Sequence, residues 1–370
     1  MRAREKEVII SHMSDESKPL NQVAILVLNW NGWRDTLECL ESVQQLTYSS
    51  YLTVVVDNGS QDDSVERIKS WAQEKLREGH VLVEYTRTRA LEGGEEEREE
   101  ALERASPKGR MVLIRNQENL GFAEGNNVAI HYVLRKKRPA DYVFLLNNDA
   151  KIEKDCVTHL VGVDQKADAG IVGGFVMDGT GRHIQFAGRA PLIRQFFSPL
   201  VRWHLPPPET ENGFWSSFFV SGTGMLIRRD VLTAVSSSMG QYLDGAFFMY
   251  GEVLDFCARA HKAGFRSVIA QGGVVYHKGA HTSGGLRNPI VYYYPLRNRI
   301  LLANKLLPSR WKVLFHLANL LVCLGLVLKN LISQRTNSAR AIVSAQIDGY
   351  RGVTGKWKRH EEEVLRYGKV

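Results

Sequence analysis

The stretch YVFLLNNDAKIE, residues 142–153, ends a run of apolar residues with three side chains that could do chemistry. Asn147, Asn148 and Asp149 follow the apolar run directly. A carboxylate beside amide oxygens suits a hard cation such as Mg²⁺ or Mn²⁺, which prefers oxygen ligands and keeps coordination positions for substrate phosphates and water. We therefore predict that Asp149 holds a divalent cation over the phosphates of a nucleotide.

Polar clusters also end three other apolar runs. Asn29 ends the first, Asp57 ends the second, and the third leads into NQENLGFAEGNN at 116–127. In an open parallel sheet, ligands bind outside the carboxyl ends of the strands. Each cluster alone could be ordinary turn or helix-cap chemistry. Four of them at one sheet edge predict a ligand site.

The elements that must position these residues alternate along the first half of the chain. Apolar runs typical of buried strands are separated by helical patterns, and the runs are VAILVLNW (23–30), YLTVVVDNGS (51–60), MVLIRN (111–116) and YVFLLNND (142–149). This alternation predicts an α/β fold with a doubly wound, mostly parallel sheet.

The second half is less regular. It contains Gly-rich strand patterns near 170–177 and 218–228, a helix near 252–264, a strand at 266–276 and helices from about 290 and 309. We read it as the remainder of one mixed-sheet domain followed by a helical tail. The common nucleotide signatures, a P-loop and a G-x-G-x-x-G after the first strand, are absent from the sequence.

Six motifs taken in order give a resemblance to a known family. VLNWNG, VVVDNGSQDDS, NLGFAEGNN, LLNNDA, FFMYGEVLDFCARAHKAGF and VVYHKGAHTSGG resemble the successive motifs of family 2 glycosyltransferases, in particular the rhamnosyltransferase-like branch with a GT-A fold. The similarity spans roughly residues 21–305. It implies a nucleotide-diphospho-sugar transferase fold.

The resemblance also implies a metal site. Asp149 matches the family's metal-binding carboxylate on the donor diphosphate. His277 resembles a histidine that completes the metal shell in some relatives, and a partly buried structural histidine is the alternative.

Nucleotide contacts follow from the same resemblance. Asp57 matches a carboxylate that contacts the base or ribose. The other positions expected beside the sugar nucleotide are Asn29, Asn119, Gly121, Gly125, Asn126, Asn147 and Asn148. Glycine in the 119–126 loop would allow close backbone approach.

The helix EVLDFCARA, 252–260, is expected to carry the acceptor chemistry. Displacing a nucleoside diphosphate by a hydroxyl needs a base, and Glu252 and Asp255 share one helix face. Relatives commonly have Glu-Asp where this chain has Glu252-Val253, and that Asp is usually the presumed base. We favour Glu252 over Asp255, because Arg259 lies one turn after Asp255 and a paired carboxylate is a weaker base. Loss of the reaction is the third alternative.

Three regions lie outside the family resemblance. They are a flexible N-terminal arm (1–20), a charged insertion with seven glutamates (87–110) and a basic, apolar tail (306–370). From Arg297 onward the chain carries 14 Lys or Arg and 4 Asp or Glu, a net charge of +10. The whole chain has a net charge of +8, so the residues before Arg297 sum to −2. The tail includes VLFHLANLLVCLGLVL, 313–328, for which we predict a helix on an anionic membrane surface, with a buried helix as the alternative.

Two further observations bound the interpretation. The four cysteines are scattered without a C-x-x-C pair, which favours a reducing compartment over a disulfide framework or zinc site. Arg297 either approaches the diphosphate or contacts an acidic helix end, and we assign it to no site.

The combined prediction is a metal-dependent inverting glycosyltransferase at the cytoplasmic face of the membrane. The candidate donors are dTDP-rhamnose and UDP-sugars, and the candidate acceptors are cell-surface glycans and lipid-linked saccharides. Nucleic acid is not an expected partner, and the oligomeric state stays open. The alternatives are a catalytically inactive glycan- or lipid-binding relative and a sugar nucleotidyltransferase.

Overall fold

A single mixed β-sheet organises the protein, whose structure is a computed structural model describing residues 20–76, 80–188, 196, 208, 210–279 and 288–367. The predicted arm therefore lies, apart from Leu20, outside the described residues. The strands are β1 (Val23–Asn29), β2 (Tyr51–Asn58), β3 (Val81–Thr86), β4 (Arg110–Asn116), β5 (Tyr142–Asn147), β6 (Ala150–Ile152), β7 (Gly170–Asp178), β8 (Ile184–Phe186), β9 (Phe214–Ser217), β10 (Gly224–Arg228) and β11 (Arg266–His277).

The helices lie between these strands and then form the C-terminal tail. They are α1 (Trp33–Gln44), α2 (Ser64–Lys75), α3 (Arg87–Leu91), α4 (Glu96–Arg104), α5 (Gly121–Arg135), α6 (Cys156–Ala167), α7 (Arg229–Met239), α8 (Glu252–Lys262), α9 (Ile290–Leu306), α10 (Ser309–Ile332), α11 (Thr336–Tyr350) and α12 (His360–Tyr367).

The strand order places the polar strand ends together. It runs β3-β4-β2-β1-β5-β10-β7-β11-β6, with β8 beside β7 and β9 beside β11. The strands β1 to β5 are mutually parallel, whereas β10 is antiparallel to both β5 and β7. Asn29 pairs with Asp57 and Leu28 with Asn147, so three predicted clusters meet at one edge. The predicted α/β class and doubly wound mixed sheet are confirmed.

Helices cover both faces of the sheet because its central strands are apolar on both sides. Along β1, Ala24 and Leu26 belong to one buried cluster, while Val23, Ile25 and Val27 belong to the other. The first cluster includes residues of α5, α7 and α8, and the second includes residues of α1, α2 and α6. Continuous apolar runs are typical of parallel strands buried on both faces.

Two predicted elements differ in detail. The strand expected near 218–228 is β10 alone, which begins only at Gly224, and residues 218–223 form a loop between β9 and β10 that faces the cleft described below. The charged insertion contains α3 and α4, and Glu99 within it is buried rather than solvated. The Glu99 Oε1 accepts hydrogen bonds from the hydroxyls of Tyr85 (3.0 Å) and Tyr132 (2.7 Å), and its Oε2 lies 3.5 Å from the Nζ of the buried Lys136.

The tail packs on the sheet domain through α9 and leaves much of α10 exposed. α10 has the length and apolar composition to cross a membrane, and only 22% of its most apolar window is buried. Its buried side includes Phe315, Asn319 and Cys323, and it packs on α9 and α11 and, through Phe315, on Phe247. The 24-residue helix is longer than the predicted 313–328 stretch and begins directly after Pro308.

Candidate active site

A cleft of about 470 Å³ opens where the polar ends of the strands meet. The ends of β1, β2, β5 and β11, the start of α5 and the loop before α8 form its walls. Seven of the predicted site residues line it, namely Asn119, Gly121, Asn147, Asn148, Asp149, Glu252 and His277. The other five, Asn29, Asp57, Gly125, Asn126 and Asp255, lie behind the walls.

Asp149 and His277 meet at one end of this cleft. The Nε2 of His277 lies 3.2 Å from the Oδ1 of Asp149. The contact arises because β5 turns directly into β6, and β6 pairs with the end of β11 so that His277 lies opposite Ala150. The amide of Lys278 also donates to the Asp149 carbonyl (3.1 Å). Two predicted ligands 128 positions apart in the sequence are therefore neighbours.

The hydrogen bonds around His277 set its tautomer. The Gln185 Nε2 donates to the His277 carbonyl (2.8 Å), so its Oε1 is the oxygen that lies 2.8 Å from the His277 Nδ1. The Nδ1 must then be the donor, and in the neutral ring the Nε2 presents a lone pair toward Asp149. In metal-binding histidines the nitrogen that does not hold the metal usually donates a hydrogen bond to a neighbouring group, as the His277 Nδ1 does to Gln185.

This donor set fits a magnesium or manganese ion of the kind that the resemblance implies. Among the described residues, no group of three or more His, Cys, Asp or Glu side chains is placed to hold an ion. A hard cation held by one or two protein ligands takes its remaining ligands from substrate phosphates and water. Asp149 and His277 are the residues that would hold it.

A buried polar network supports the cleft from behind. Asp57, which is 2% exposed, accepts hydrogen bonds from the Asn29 Nδ2 (2.9 Å) and from the Ser60 amide (3.1 Å). The Thr36 hydroxyl donates to the Asn29 Oδ1 (2.7 Å) and accepts from the Asn148 Nδ2 (3.1 Å). Asn29 and Asp57 thus orient wall residues, and the predicted contact of Asp57 with base or ribose stays a prediction.

Asn58 is a cleft residue that the sequence reasoning did not assign. Its Nδ2 donates to the Asn119 Oδ1 (3.1 Å) and the Gly121 carbonyl (3.1 Å), while its Oδ1 accepts from the Asn116 Nδ2 (3.0 Å). The sequence does hold a signal for Asn58, because it directly follows Asp57 at the same strand end. Neighbouring strand residues point to opposite faces of the sheet, so Asn58 meets partners that Asp57 does not. Asn58 therefore joins the ends of β2 and β4.

The start of α5 packs against the loop before α8, and the predicted contact of residues 119–126 with a nucleotide stays a prediction. The first free amides of the helix, those of Phe122 (2.7 Å) and Ala123 (3.3 Å), point at the carbonyl of Phe248. A Cβ on Gly121 would collide with the same carbonyl and with the Phe248 ring, so the close approach that glycine permits is to the protein's own loop. Gly125 and Asn126 lie buried inside α5, where the Asn126 Nδ2 donates to the Phe122 carbonyl (2.8 Å).

Glu252 opens α8 at the cleft wall and is almost fully buried, with 5% of its surface exposed. Burial, with a smaller contribution from the nearby Asp255 carboxylate, raises the pKa of its carboxyl to about 7. A carboxyl with a pKa near neutrality is half ionised at physiological pH and suits proton transfer.

Asp255 has a different environment on the same helix face. It is fully buried between two cations, with the Arg259 Nε at 2.8 Å and the Lys305 Nζ at 2.6 Å. Both of its oxygens are therefore taken up by ion pairs inside the protein. Of the two predicted carboxylates, Glu252 lines the cleft and Asp255 does not.

Arg297 contacts backbone carbonyls and lies neither at the cleft, where it could approach a diphosphate, nor against an acidic side chain in the described part of the chain. Its guanidinium is fully buried and donates to the carbonyls of Phe247 (2.9 Å) and Gly355 (2.6 Å). The tail also reaches the cleft, because His360 lines it beside Trp30, with the two ring centroids 5.6 Å apart. The tail therefore contributes to the cleft wall, which the sequence did not indicate.

A comparison with family models gives one family. The model described as Glycosyl transferase family 2 matches residues 24–108 and 92–235, two overlapping segments that together cover more than half of the chain.

Two curated proteins illustrate the relationship in sequence. The chain is 22% identical over 242 residues to the low-salt glycan biosynthesis hexosyltransferase Agl10 of Haloferax volcanii, covering 65% of this chain and 76% of that protein. It is 28% identical over 153 residues to the rhamnosyltransferase WbbL of Escherichia coli K12, covering 40% of this chain and 56% of that protein.

Two solved structures show the same fold. A complex of S. aureus TarS (residues 1–349) with UDP-GlcNAc matches 90% of this chain and 81% of that chain, with a TM-score of 0.51 and 14% identity. The mannosyltransferase PcManGT from Pyrobaculum calidifontis, in complex with GDP-Man and Mn²⁺, matches 90% of this chain and 91% of that chain, with a TM-score of 0.50 and 14% identity.

Proposed function

The chain belongs to glycosyl transferase family 2 and is a glycosyltransferase, and from that premise we propose a specific reaction. It moves one sugar, with inversion, from a nucleoside-diphosphate donor to a hydroxyl of a cell-surface glycan or a lipid-linked saccharide. Rhamnose from dTDP-rhamnose and hexoses from UDP-sugars are the candidate transferred groups. The relatives named hexosyltransferase and rhamnosyltransferase support this choice.

One observation carries the proposal: a carboxylate–imidazole pair suited to a diphosphate-bound cation and a buried carboxylate of near-neutral pKa line the same cleft. In this proposal Asp149 and His277 hold the cation. A bound Mg²⁺ or Mn²⁺ would neutralise charge on the departing diphosphate. Asn119, Asn147 and Asn148 supply amide groups for the nucleotide sugar from the same walls.

Glu252 supplies the acceptor chemistry. The acceptor oxygen forms a bond to the anomeric carbon while the bond from that carbon to the diphosphate oxygen breaks. The proton of the acceptor hydroxyl passes to the Glu252 carboxylate, and the electron pair of the broken bond leaves with the nucleoside diphosphate. A single displacement of this kind inverts the anomeric centre. Val253 occupies the position of the aspartate that relatives commonly carry, and Glu252 beside it provides the base.

We also propose that the enzyme works at the cytoplasmic face of a membrane, with α10 lying on the surface. The outer side of α10 presents a row of exposed apolar residues, the apolar face, formed by Val313, Leu314, Leu317, Leu320, Leu321, Leu324, Leu328 and Leu331. The opposite side is tied to the domain by polar contacts: the Asn319 amide bonds to Gln346 (2.7 Å) and Arg299 (3.1 Å). Such contacts support a helix that stays on the protein while its outer side enters the interface.

The test of the reaction is donor cleavage. The full chain is incubated with UDP-glucose, UDP-GlcNAc, dTDP-rhamnose or GDP-mannose, each with and without Mn²⁺, and the released nucleotide is identified. Release of nucleoside diphosphate from one donor, dependent on the cation, is the expected result. Release of pyrophosphate would instead show a nucleotidyltransferase. No cleavage of any donor, with thermal stabilisation by glycans or lipids, would show a binding relative.

A further inference from the structure

The loop at residues 247–251, here called the base loop, connects a short helical turn to Glu252 and has an uncommon backbone. Phe248 and Tyr250 have φ angles of 64° and 63°, and Gly251 has a φ of 110°. Non-glycine residues seldom adopt positive φ, and two within three residues persist only where the surroundings hold them. The structure must therefore contain groups that impose this shape.

Asn298 of α9 is the group that contacts the base loop most extensively. Its Nδ2 lies 2.9 Å from the carbonyl oxygen of Phe247, 2.8 Å from that of Met249 and 2.6 Å from that of Tyr250. An amide nitrogen has two hydrogens, so three carbonyls at these distances share them. One buried side chain thus gathers the carbonyls of three of the five loop residues.

Arg297 determines which way the Asn298 amide points. The Arg297 Nε donates to the Asn298 Oδ1 (2.8 Å), so the oxygen faces the guanidinium and the nitrogen faces the loop. The same guanidinium donates to the Phe247 carbonyl and lies against the rings of Tyr293 and Tyr294, 5.3 and 5.1 Å from their centroids. Its donors are used inside the protein, so it acts on the loop and not on a diphosphate.

The far side of the base loop is also held. The carbonyl of Phe248 takes the first free amides of α5, so the loop is fixed between the start of α5 and Asn298. The backbone then enters α8, of which Glu252 is the first residue. The conformation of the loop therefore fixes where the Glu252 side chain points. The position of Glu252 at the cleft wall thus depends on Arg297 and Asn298, which do not line the cleft themselves.

We propose that Asn298, oriented by Arg297, is a positioning residue that keeps the base loop in its strained shape and thereby aims the Glu252 carboxylate at the acceptor hydroxyl. The inference rests on the proposed role of Glu252 in sugar transfer. It assigns a role in the reaction to the Arg-Asn pair of the YYYPLRNR segment, which lies outside the region matched by the family model.

The test compares Asn298→Asp, which keeps the shape but replaces the donor by an acceptor, with Asn298→Ser, which keeps one donor. The matched control is Asn319→Ala, because Asn319 is another buried asparagine of the tail and contacts Arg299 and Gln346 instead of the base loop. Donor cleavage is measured on the full chain with the donor that turns over fastest. Hydrogen–deuterium exchange of peptides covering 245–256 is measured beside it.

We expect kcat of Asn298→Asp to fall on the order of 10²-fold with the donor KM little changed, as for a misaligned catalytic group. Amides of the base loop should exchange faster. The rise of kcat with pH should move to lower pH, because a loosened loop admits water to the Glu252 carboxyl. Asn298→Ser should lie between Asn298→Asp and wild type, and Asn319→Ala should lower Tm alone.

Wild-type kcat and an unmoved pH profile in both Asn298 variants would overturn the proposal, and so would loss of the fold in both. Failure of the proposed function looks different. In that case the wild type itself cleaves no donor, and the exchange of the base loop still reports whether Asn298 holds it.

Discussion

The Oδ1 of Asp149 and the Nε2 of His277 lie 3.2 Å apart, although one residue follows β5 and the other ends β11. The hydrogen bond from the His277 Nδ1 to Gln185 turns the Nε2 lone pair toward the carboxylate. Two electron-rich atoms at this distance repel each other unless a cation or a proton lies between them. A proton on the Nε2 would make the two residues an ion pair, and under the function proposed above a divalent ion takes that place.

Asp149→Asn is expected to abolish donor cleavage while leaving Tm close to wild type, because the amide keeps the shape and loses the charge. Removing divalent ions with a chelator should also stop cleavage, and Mg²⁺ or Mn²⁺ should restore it. Asp168→Asn is the control, since Asp168 is an exposed carboxylate at a left-handed position that asparagine tolerates. Full turnover in the presence of chelator would contradict the metal site.

Glu252→Gln is expected to lower kcat by roughly 10²–10⁴-fold with the donor KM little changed, which is the usual contribution of a general base. Asp255→Asn should act differently. It leaves the buried Arg259 without its anion, whereas Lys305 keeps Asp244 at 2.9 Å, and the loss is expected to cost about 3 kcal/mol of stability. Urea unfolding and saturating-donor kinetics on both variants separate the two roles. If Asp255→Asn were the inactive, stable variant, the assignment of the base would be reversed.

The pH dependence follows from the raised pKa of Glu252. As the base, Glu252 must be ionised, so kcat should rise with pH through about pH 7. The groups that face it are Asp255 on its own helix, Tyr250 in the base loop, and Asp149, His277 and His360 on the cleft walls. A rate profile that is flat between pH 5 and pH 8 would contradict this role.

Stability should depend on pH in the opposite sense. Between the ordinary Glu value of 4.5 and about 7, the folded chain holds a proton at Glu252 that the unfolded chain has released, so stability falls as pH rises through this window. The buried charge costs about 3 kcal/mol above the window. Glu252→Gln should therefore raise the unfolding free energy by about that amount at pH 8 and have little effect at pH 4. Glu66→Gln, on an exposed carboxylate, should show no such difference.

Replacing Leu317, Leu320, Leu321 and Leu324 by Gln should release the protein from vesicles of phosphatidylglycerol and phosphatidylcholine. These side chains are more than half exposed, and each apolar group that enters the interface adds to binding. Cleavage of a soluble donor should be unaffected. Arg104→Gln with Lys108→Gln, two basic residues outside the tail, is the control. Equal vesicle binding by wild type and the four-leucine variant would exclude the membrane role of this face.

Truncation after Tyr350 is expected to lower Tm and to stop donor cleavage. It removes Trp357, whose ring stacks on Tyr293 at 4.2 Å, as well as the Gly355 carbonyl that Arg297 contacts and His360 in the cleft wall. His360→Ala separates these effects, since it alters the wall and leaves the stacking intact. An active truncated chain of wild-type stability would contradict a role of residues 351–370 in the cleft.

Most of the sheet could be predicted because its signals are local. The apolar runs that became β1, β2, β4 and β5 end within a few residues of their predicted limits. β6 could not be predicted in this way, because its three residues become a strand only by pairing with the end of β11. The 218–228 segment was read as one strand because nothing local marks residues 218–223 as a loop that turns toward the cleft.

The sequence by itself determined that Asn147, Asn148 and Asp149 would stand at one sheet edge with Asn29, Asp57 and the 116–127 loop. An apolar run specifies a buried strand, and parallel strands bring their ends together. Only the tertiary structure decided which of these residues face the cleft. Asn29 and Asp57 do not line it, because their side chains are hydrogen-bonded to each other behind its wall.

The tertiary structure also decided the pairs that join distant segments. Asp149 meets His277 through the β6–β11 pairing, Glu252 is set apart from Asp255 by the cations that surround the latter, and Asn298 takes up the carbonyls of the base loop. Periodicity and turn chemistry report only what a residue does with its near neighbours. The pKa of Glu252 and the contacts of Asn298 with the base loop depend on burial and on residues that are distant in the sequence.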